Sequence, residues 1–297
     1  DEHKALFEKQ ALALFPHAVL TVQSHDYNVY IEGGHTYAVD VMLKRHPVYP
    51  IKASDEFTAD PLEVIMNAFS NIEQSGAGAA VQYVVRYPST AYHKQYSGIV
   101  RAIEKGENPS KAISESTLGG QLLSGVGELF ATTKKSKAGE EIEPAIEVDT
   151  EALEIVKQKI ATDIVEVNIR LIVSASTQAE AERTRRAIEA AFKQFDTLNS
   201  NQFVFKEQKG LSLRKTQKAF SFRQFTKSTA LPLSVAELAT MMHLPAAGAT
   251  AAPQVRLSSA QTAAAPTNMP TDGTLLGTNR HRGTEKEIYI NEQDRMR

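Results

Sequence analysis

The segment VEVNIRLIV at residues 165–173 constrains the fold of this chain more than any other. Its apolar residues alternate with Glu166, Asn168 and Arg170, which is the period-two pattern of a strand with one buried and one solvent-facing side. Such a strand cannot bury its apolar side alone, so further secondary structure must pack against it. The strand is therefore predicted to lie in the sheet of a layered domain.

A strand–helix–strand order is predicted around this segment. Ser176 or Thr177 can cap an amphipathic helix after the strand, and residues 202–205 can form a returning strand. The same order is predicted earlier, with a strand from Tyr37, a helix that Asp60 caps, and a strand over residues 81–87. Two such halves with a helical insertion between them predict an α+β fold of ferredoxin-like type, with helices on one face of a mostly antiparallel sheet.

Composition and local pattern divide the rest of the chain. Residues 246–273 are dominated by Ala, Thr, Pro, Gly and Ser and cannot order themselves alone. The predicted organisation is an N-terminal helical or irregular segment (1–36), a first α+β half with a helical excursion (37–131), a linker or loop (132–148), a second α+β half (149–230), a docking helix (231–245), a low-complexity linker or strap (246–273) and the start of another sheet (274–297).

Several classes of function are disfavoured by composition. The chain has 33 Lys and Arg against 35 Asp and Glu, whereas proteins that coat nucleic acid usually carry a basic excess. It has no Cys, which excludes thiolate nucleophiles and Cys-ligated metals and fits a reducing cytosol. No apolar run reaches the length of a membrane span. Because the chain opens on Asp1 in a charged segment, we expect its N-terminus to be cut.

No catalytic motif is present in the sequence. Gly120 and Gly125 have the glycine spacing of a phosphate loop, but Val126 and Gly127 stand where the motif needs Lys and a hydroxyl residue. The eight His show no ligand spacing, and no Ser elbow occurs. We therefore predict no catalytic, cofactor-binding or metal-binding residue, and no enzyme activity for this chain itself.

A basic run with interleaved aromatic residues covers residues 203–227. One interpretation is a stacking platform for single-stranded nucleic acid on a ferredoxin-like sheet, and the other is a set of core aromatics with a solvated basic face. The candidates for nucleic-acid contact are Lys206, Lys209, Arg214, Lys215, Lys218, Arg223, Phe220 and Phe222. A stand-alone single-strand-binding module is thus the alternative function.

The segment LPLSVAELATMMHLP at residues 231–245 predicts a short docking helix. Ser234 is its expected N-cap and Glu237 completes a capping box, while Pro245 ends it. The residues assigned to this helix are Ser234, Val235, Glu237, Leu238, Met242, His243, Leu244 and Pro245. The apolar residues of this helix, together with Ala239, are expected to pack against the α+β body.

This segment resembles an element of conjugative DNA-transfer ATPases of the HerA/FtsK superfamily, the motor and coupling-protein class of type IV secretion. In those proteins a Pro- and Ala-rich strap and a stretch leading into the phosphate loop follow it. Similar residues occur here at Leu276, Gly277, Asn279, Arg282 and Gly283, then at Ile288, Ile290, Asp294, Arg295 and Arg297. Residues 170–195 are also similar to the second half of the accessory domain in that group.

The resemblance implies that this chain is the N-terminal accessory portion of a ring-forming ATPase. ATP and Mg²⁺ would then belong to a motor domain that begins near residue 274 and whose phosphate loop lies beyond residue 297. The implied partners are that motor domain, neighbouring subunits in a homo-oligomer, secretion-channel proteins and DNA, with no small-molecule substrate. The implied location is the cytoplasm, at the inner face of the cell membrane, and a membrane anchor is common upstream in such families.

Overall fold

The structure is a computed structural model that describes residues 2–15, 20–22, 27–70, 72, 77–86, 90–116, 149–243, 265–266, 268–281 and 284–291. The chain divides into two compact units. The body unit comprises Asn28–Gln254, and the terminal unit comprises Asp1–Tyr27 together with Val255–Arg297. The predicted linker at residues 132–148, the end of the helical excursion and most of the strap lie outside the described residues.

The described helices and strands are numbered here in chain order. The helices are α1 (Glu2–Leu14), α2 (Pro61–Ser70), α3 (Thr90–Glu104), α4 (Pro109–Ser116), α5 (Thr150–Lys159), α6 (Gln178–Phe192), α7 (Gly210–Ser221) and α8 (Val235–Met241). The strands are β1 (His35–Leu43), β2 (Gly78–Arg86), β3 (Ile164–Ala175), β4 (Phe203–Gln208), β5 (Leu231–Ser234), β6 (Thr274–His281) and β7 (Thr284–Ile290).

The body unit is built on an antiparallel sheet with strand order β2-β3-β1-β4. Helix α2 connects β1 to β2 and helix α6 connects β3 to β4, so each half is a strand–helix–strand unit whose two strands enclose a strand of the other half. This is the ferredoxin-like arrangement. The prediction of an α+β fold with ferredoxin-like halves and a helical insertion is therefore confirmed.

Two strands, β1 and the fifth strand β5, pair with different parts of the central strand β3. Residues 170–175 of β3 pair with β1, while residues 164–167 pair with β5. Strand β2 already occupies the other edge of β3 from Glu166 to Ser174, so β1 and β5 must follow one another along a single edge. Strand β1 leaves that edge after Asp40 and continues beside β4 alone. The chain from β5 into α8 is thereby placed next to the segment that follows β1.

One face of the sheet carries the main hydrophobic core. The apolar side chains of β3 that alternate in sequence are all buried there, and helices α2 and α6 cover them through residues such as Ile65, Ile188 and Phe192. Phe203 and Phe195 extend the core with edge-to-face ring contacts. Each large side chain that is removed from water in this way contributes ~1.5–3 kcal/mol to folding.

Helices α3, α4 and α5 form a second core beside the sheet. Tyr96, Ile99 and Ile103 of α3 pack with Val156 of α5 and with Ile164 at the start of β3. The predicted helical excursion is confirmed for residues 90–116, where it forms α3 and α4. Burial raises the pKa of Tyr96, whose hydroxyl has no hydrogen-bond partner among the described residues.

The second face of the sheet is covered as well, so the prediction of helices on one face only is wrong. Helix α7 and the segment around Val29 pack on this face, with Ala38 and Ile172 between them. Asn168 and Arg170 were expected to face solvent but are each only 1% exposed. A run of polar residues with period two is compatible with solvent or with a buried hydrogen-bond network, and here it forms the network.

Side chains at the predicted positions cap two helices of the sheet halves. Asp60 accepts a bond from the N–H of Leu62 at the start of α2, and Thr177 accepts one from the N–H of Glu180 at the start of α6. The sequence left Ser176 and Thr177 as alternatives, and Thr177 is the cap. The cap satisfies one of the N–H groups that a helix leaves unpaired at its first turn.

Replacing Thr177 with Ala is expected to lower the free energy of unfolding by about 1 kcal/mol, because the N–H of Glu180 loses its partner. Urea unfolding measures the change. The matched control is Ser176→Ala on the neighbouring exposed side chain, which is expected to change stability by less than about 0.5 kcal/mol. An equal loss in both variants would contradict this assignment of the cap.

The terminal unit consists, in its described part, of α1 and the hairpin of β6 and β7. The two strands pair antiparallel from Thr274 with Ile290 to His281 with Thr284, and a bulge lies between Leu275 and Gly277. Neither strand joins the five-stranded sheet of the body unit. The predicted strand signal at residues 288–290 is confirmed, while the predicted turn at residues 282–283 lies outside the described residues.

Candidate interaction surfaces

The segment predicted as a docking helix, residues 231–245, contains a strand followed by a helix that is shorter than expected. Residues 231–234 form β5, and the helix α8 covers only Val235–Met241. Ser234 caps it, and the capping box with Glu237 is present, as predicted. Leu244 and Pro245 lie outside the described residues.

The side of α8 that packs on the body unit differs from the prediction. Glu237, Thr240 and Met241 are buried, and Leu238 packs partly against the main core. Val235, Ala239 and Met242, which were expected to make the contacts inside the domain, are exposed instead. Their spacing of four and three residues places them on one side of the helix. The outer side of α8 therefore carries an exposed apolar stripe.

Glu237 is a buried carboxylate at the joint between α8 and the rest of the body unit. Its side chain is 1% exposed, and its Oε2 lies 2.6 Å from the Nζ of Lys159, whose side chain is 0% exposed. Backbone N–H groups of Ile51 and Ser234 donate to the same carboxylate at 2.9 and 2.7 Å. The Lys159 ammonium also donates to the carbonyl oxygen of Pro232 at 2.9 Å. Three donors from the segment after β1, from α5 and from β5 thus converge on one side chain.

Lys159 and Glu237 form a buried ion pair in which each charge depends on the other. Burial lowers the pKa of Lys159, and the Glu237 carboxylate opposes that change. A buried ion pair gains little net stability over an apolar pair, but removal of one partner leaves the other charged and unpaired. Glu237 and Lys159 therefore fix the position of α8 more than they add to stability.

His46 lies half-buried near this joint and gives the body unit a pH dependence. Its Nδ1 accepts a bond from the N–H of Val48 at 3.2 Å, which requires that nitrogen to be unprotonated. Burial lowers the pKa of His46 from its ordinary value of 6.5, and the charge of Lys159 lowers it further. Because the unfolded chain then binds a proton that the native state resists, stability falls as the pH decreases below 6.5.

The variant His46→Asn is expected to lose less stability on acidification than the parent chain, since the amide oxygen can accept from Val48 without titrating. Urea unfolding at about pH 7.5 and about pH 5.5 gives the two losses, and their difference isolates His46 from the other His residues. If both proteins lose the same free energy over this interval, His46 is not the source of the acid sensitivity.

Arg170 organises the second face of the sheet. Its guanidinium is 1% exposed and lies 3.9 Å from the carboxylate of Asp40, the one acidic group with which it forms a described ion pair. It donates hydrogen bonds to Gln82 Oε1, Asn168 Oδ1 and Thr226 Oγ1, and to the carbonyl oxygens of Ala219 and Gln224. Because Ala219 lies in the last turn of α7 and Gln224 just beyond it, Arg170 holds the C-terminal end of that helix on the sheet.

Helix α7 presents one outward side that combines cations and apolar groups. Arg214, Lys215 and Lys218 are exposed, while Thr216 and Ala219 on the opposite side are buried. Leu211 and Phe222, at the two ends of the same outward side, are 76% and 68% exposed. The helix contains no carboxylate. We call the side formed by Leu211, Arg214, Lys215, Lys218 and Phe222 the basic face.

Further cations flank the basic face. Lys206 on β4, Lys209 at the start of α7 and Arg223 after its end are exposed. Glu207, the one acidic residue within residues 203–227, lies 3.4 Å from the Nζ of Lys209. The six predicted contact cations are therefore all exposed, and the structure brings three of them together on one helix that the sequence analysis did not predict.

Of the two interpretations of the aromatic residues, the structure favours core packing over a stacking platform on the sheet. Phe203 is buried in the main core, and Phe205 packs partly against it on the side of α6. Phe220 packs under α7 against Tyr30. Of the two aromatic residues predicted to contact nucleic acid, Phe222 alone is exposed. Since α7 also covers the second face, neither face of the sheet is open for bases to stack on.

The end of α8 makes one further contact with the body unit. His243 Nδ1 lies 2.9 Å from the carbonyl oxygen of Ala239, and its Nε2 lies 3.1 Å from the Asp60 carboxylate that caps α2. Both partners are acceptors, so the ring satisfies both only when both nitrogens carry protons. Predicted as a docking residue, His243 thus ties α8 to α2.

The terminal unit exposes much apolar surface for its size. Ala11 is the one buried apolar side chain among its described residues. Large apolar side chains of both its parts are exposed, namely Leu6, Phe7, Leu14, Leu20, Val22, Tyr27, Leu275 and Leu276. A hairpin of two strands is at best marginally stable in water without a sheet or helix to pack on.

Two further observations concern the described residues as a whole. No three His, Asp or Glu side chains among them gather where they could hold a metal ion. None of the described helices is long and apolar enough to cross a membrane.

The chain belongs to the family described as Domain of unknown function (DUF8128), whose model matches residues 1–255. The match includes the whole described body unit and α1, and it ends before the hairpin of β6 and β7. No curated protein and no solved structure matches the chain.

Proposed function

We propose that this chain is the accessory and docking region of a conjugative-transfer motor ATPase of type IV secretion, with no catalytic centre of its own. Its partners in this proposal are its motor domain, neighbouring subunits and secretion-channel proteins, with DNA as the transported substrate. ATP and Mg²⁺ act in the motor domain. The proposed location is the cytoplasmic face of the cell membrane.

The observation that carries the proposal is that β6 and β7 form a two-stranded sheet of their own. Residues 276–290 contain the sequence similar to the approach to the phosphate loop in the motor family, and those of them that the structure describes lie in β6 and β7. A two-stranded hairpin with Leu275 and Leu276 exposed is stabilised by a further sheet or helix that packs on it. In this proposal the motor domain, which the resemblance implies, packs on the hairpin.

The extent of the family match supports the same division. The match ends at residue 255, before the hairpin, so the accessory region and the hairpin are separable in sequence. The body unit ends at the same place, since Gln254 is its last residue, although the match also takes in residues 1–27 of the terminal unit.

The outer stripe of α8 supports a docking role for the body unit. Glu237 and Lys159 hold the helix firmly, while Val235 and Met242 remain 43% and 51% exposed. A rigid helix that offers apolar side chains to its surroundings is suited to recognition by a partner groove. Neighbouring subunits or channel proteins are the proposed owners of that groove.

Comparison of this chain with the native protein tests the proposal. An antibody raised against the purified chain recovers the native polypeptide from the source cells, and ATP hydrolysis by both is measured with Mg²⁺. The expected result is a polypeptide larger than 32.6 kDa that hydrolyses ATP, and a 297-residue chain that does not. A native polypeptide of 32.6 kDa, or hydrolysis by the purified chain, would overturn the proposal.

A further inference from the structure

The basic face of α7 carries charge that the rest of the chain does not share. Residues 203–227 contain seven Lys and Arg against one carboxylate, although the whole chain has 33 against 35. The cations of the basic face lie on one helix side and are exposed. A concentration of one charge in an almost neutral protein favours a polyanionic partner at that place.

The two ends of the basic face limit what that polyanion can be. Leu211 and Phe222 are separated by eleven positions, which is about 16 Å along a helix. Both are more than two-thirds exposed, and the three cations lie between them on the same side. A partner that matches this face must accept apolar side chains at two places and neutralise positive charge between them.

An anionic lipid surface meets both requirements. Apolar side chains of an amphipathic helix enter the boundary between headgroups and acyl chains, while Lys and Arg of the same face pair with the headgroup phosphates. Nucleic acid meets only one of them, because Leu211 gains nothing from a phosphate backbone and a single exposed Phe222 is left for stacking.

Hydrogen bonds to the body unit hold α7 in place, so the helix can bind a surface as a rigid element. Thr216 donates to Asp40 at 3.4 Å, and the carbonyl oxygen of Gln217 accepts from the hydroxyl of Tyr30. The carbonyl oxygen of Phe220 accepts from Gln82, and Arg170 holds the last turn. The helix is thus formed before any membrane contact, and its binding does not require the ordering that a disordered segment would need.

We propose that the basic face of α7 binds anionic membrane surfaces, with Leu211 and Phe222 inserted between headgroups and Arg214, Lys215 and Lys218 paired with lipid phosphates. This inference goes beyond the proposed docking function and does not depend on it, because it is argued from the body unit alone.

Fluorescence provides a direct test, because the chain has no Trp. The variant Phe222→Trp places a single indole at one end of the basic face. With vesicles of phosphatidylcholine and phosphatidylglycerol we expect a blue shift of its emission and quenching by lipids brominated in the acyl chain. Vesicles of phosphatidylcholine alone are expected to give neither. An emission unchanged by anionic vesicles overturns the proposal.

Sedimentation with the same vesicles separates the two contributions. The variant Arg214→Gln/Lys215→Gln/Lys218→Gln is expected to bind roughly 100-fold more weakly, since each cation near an anionic surface contributes severalfold. Leu211→Ser/Phe222→Ser is expected to weaken binding about tenfold or more, as lost apolar burial predicts. The matched control is Arg183→Gln/Lys193→Gln/Leu198→Ser, which removes exposed cations and an exposed Leu outside α7 and is expected to bind like the parent.

Two further measurements keep the test decisive. Urea unfolding establishes that the variants keep the parent stability, so that lost binding reports the surface itself. Titration with a single-stranded oligonucleotide at two salt concentrations examines the rival polyanion. Salt-dependent binding to the oligonucleotide that the triple Gln variant abolishes, without binding to anionic vesicles, would assign the basic face to nucleic acid and overturn the membrane proposal.

Discussion

Replacing Glu237 with Gln is expected to lower the free energy of unfolding by about 3–5 kcal/mol. The carboxylate accepts from Lys159, from the N–H of Ile51 and from the N–H of Ser234, all of them donors. An amide in its place presents one acceptor and two donors, so a buried donor loses its partner and Lys159 keeps an uncompensated charge. Urea unfolding of the two proteins under the same conditions measures the loss.

Two companion variants separate a lost ion pair from a general disturbance. Lys159→Met/Glu237→Leu removes both charges and is expected to recover part of the stability that Glu237→Gln loses, because no buried charge is left unpaired, although the N–H groups of Ile51 and Ser234 lose their acceptor. Glu182→Gln breaks the exposed pair with Arg186 on α6 and is expected to cost less than about 0.5 kcal/mol. A double variant as unstable as Glu237→Gln would contradict the account of this joint.

Replacing Arg170 with Met is also expected to lower the free energy of unfolding by about 3–5 kcal/mol. The carbonyl oxygens of Ala219 and Gln224 lose donors, and Asp40 remains buried without its ion-pair partner. Amide exchange of α7 should accelerate at its C-terminal end, because Arg170 anchors that end. Urea unfolding and hydrogen exchange read by mass spectrometry measure the two effects.

The pH dependence of this variant identifies the contribution of Asp40. Burial raises the pKa of Asp40, and the Arg170 guanidinium holds that rise in check. Without Arg170 the pKa of Asp40 in the native state rises further above its unfolded value of 3.8. The stability of the variant therefore falls as the pH increases from 3.8 through the raised native pKa of Asp40. The deficit of Arg170→Met should therefore be smaller at low pH than at neutral pH, and Asp40→Asn in the same chain should reduce it. A deficit that does not change with pH would remove Asp40 from the explanation.

The sequence predicted the sheet halves because their signals are local. Alternation along β3 and β1, the Asp60 and Thr177 caps and the capping box of Ser234 with Glu237 each depend on residues within a few positions of one another. Period and capping chemistry are sufficient for such elements. The ferredoxin-like order then follows because two strand–helix–strand units can share one antiparallel sheet in few ways.

The buried polar groups were not predictable in this way. Glu237 and Lys159 are 78 positions apart, and Arg170 meets its partners from α7 and the following segment about 50 positions later. Arg170 has the same place in the alternation whether solvent or a covering helix lies beside it. Helix α7 was missed because its basic, weakly apolar sequence has few core residues, and the candidate surface that it carries was found only by its charge.

Distant partners also explain why the buried side of α8 was predicted incorrectly. Its capping box fixed where the helix begins, but Val235 and Met242 were assigned to the interior because they are apolar, and Glu237 and Thr240 occupy it instead. Two buried polar side chains are accommodated because each has hydrogen-bond partners in the fold. The apolar stripe was left for the surface, where the proposed docking function uses it.

Hydrogen exchange of the β6 and β7 amides is the most direct measurement of whether this hairpin belongs to a motor domain. In the 297-residue chain we expect these amides to exchange orders of magnitude faster than those of β3, because a two-stranded hairpin has little protection of its own. In the native protein recovered from the source cells they should be protected about as well as β3. Equal, rapid exchange in both proteins would contradict the account.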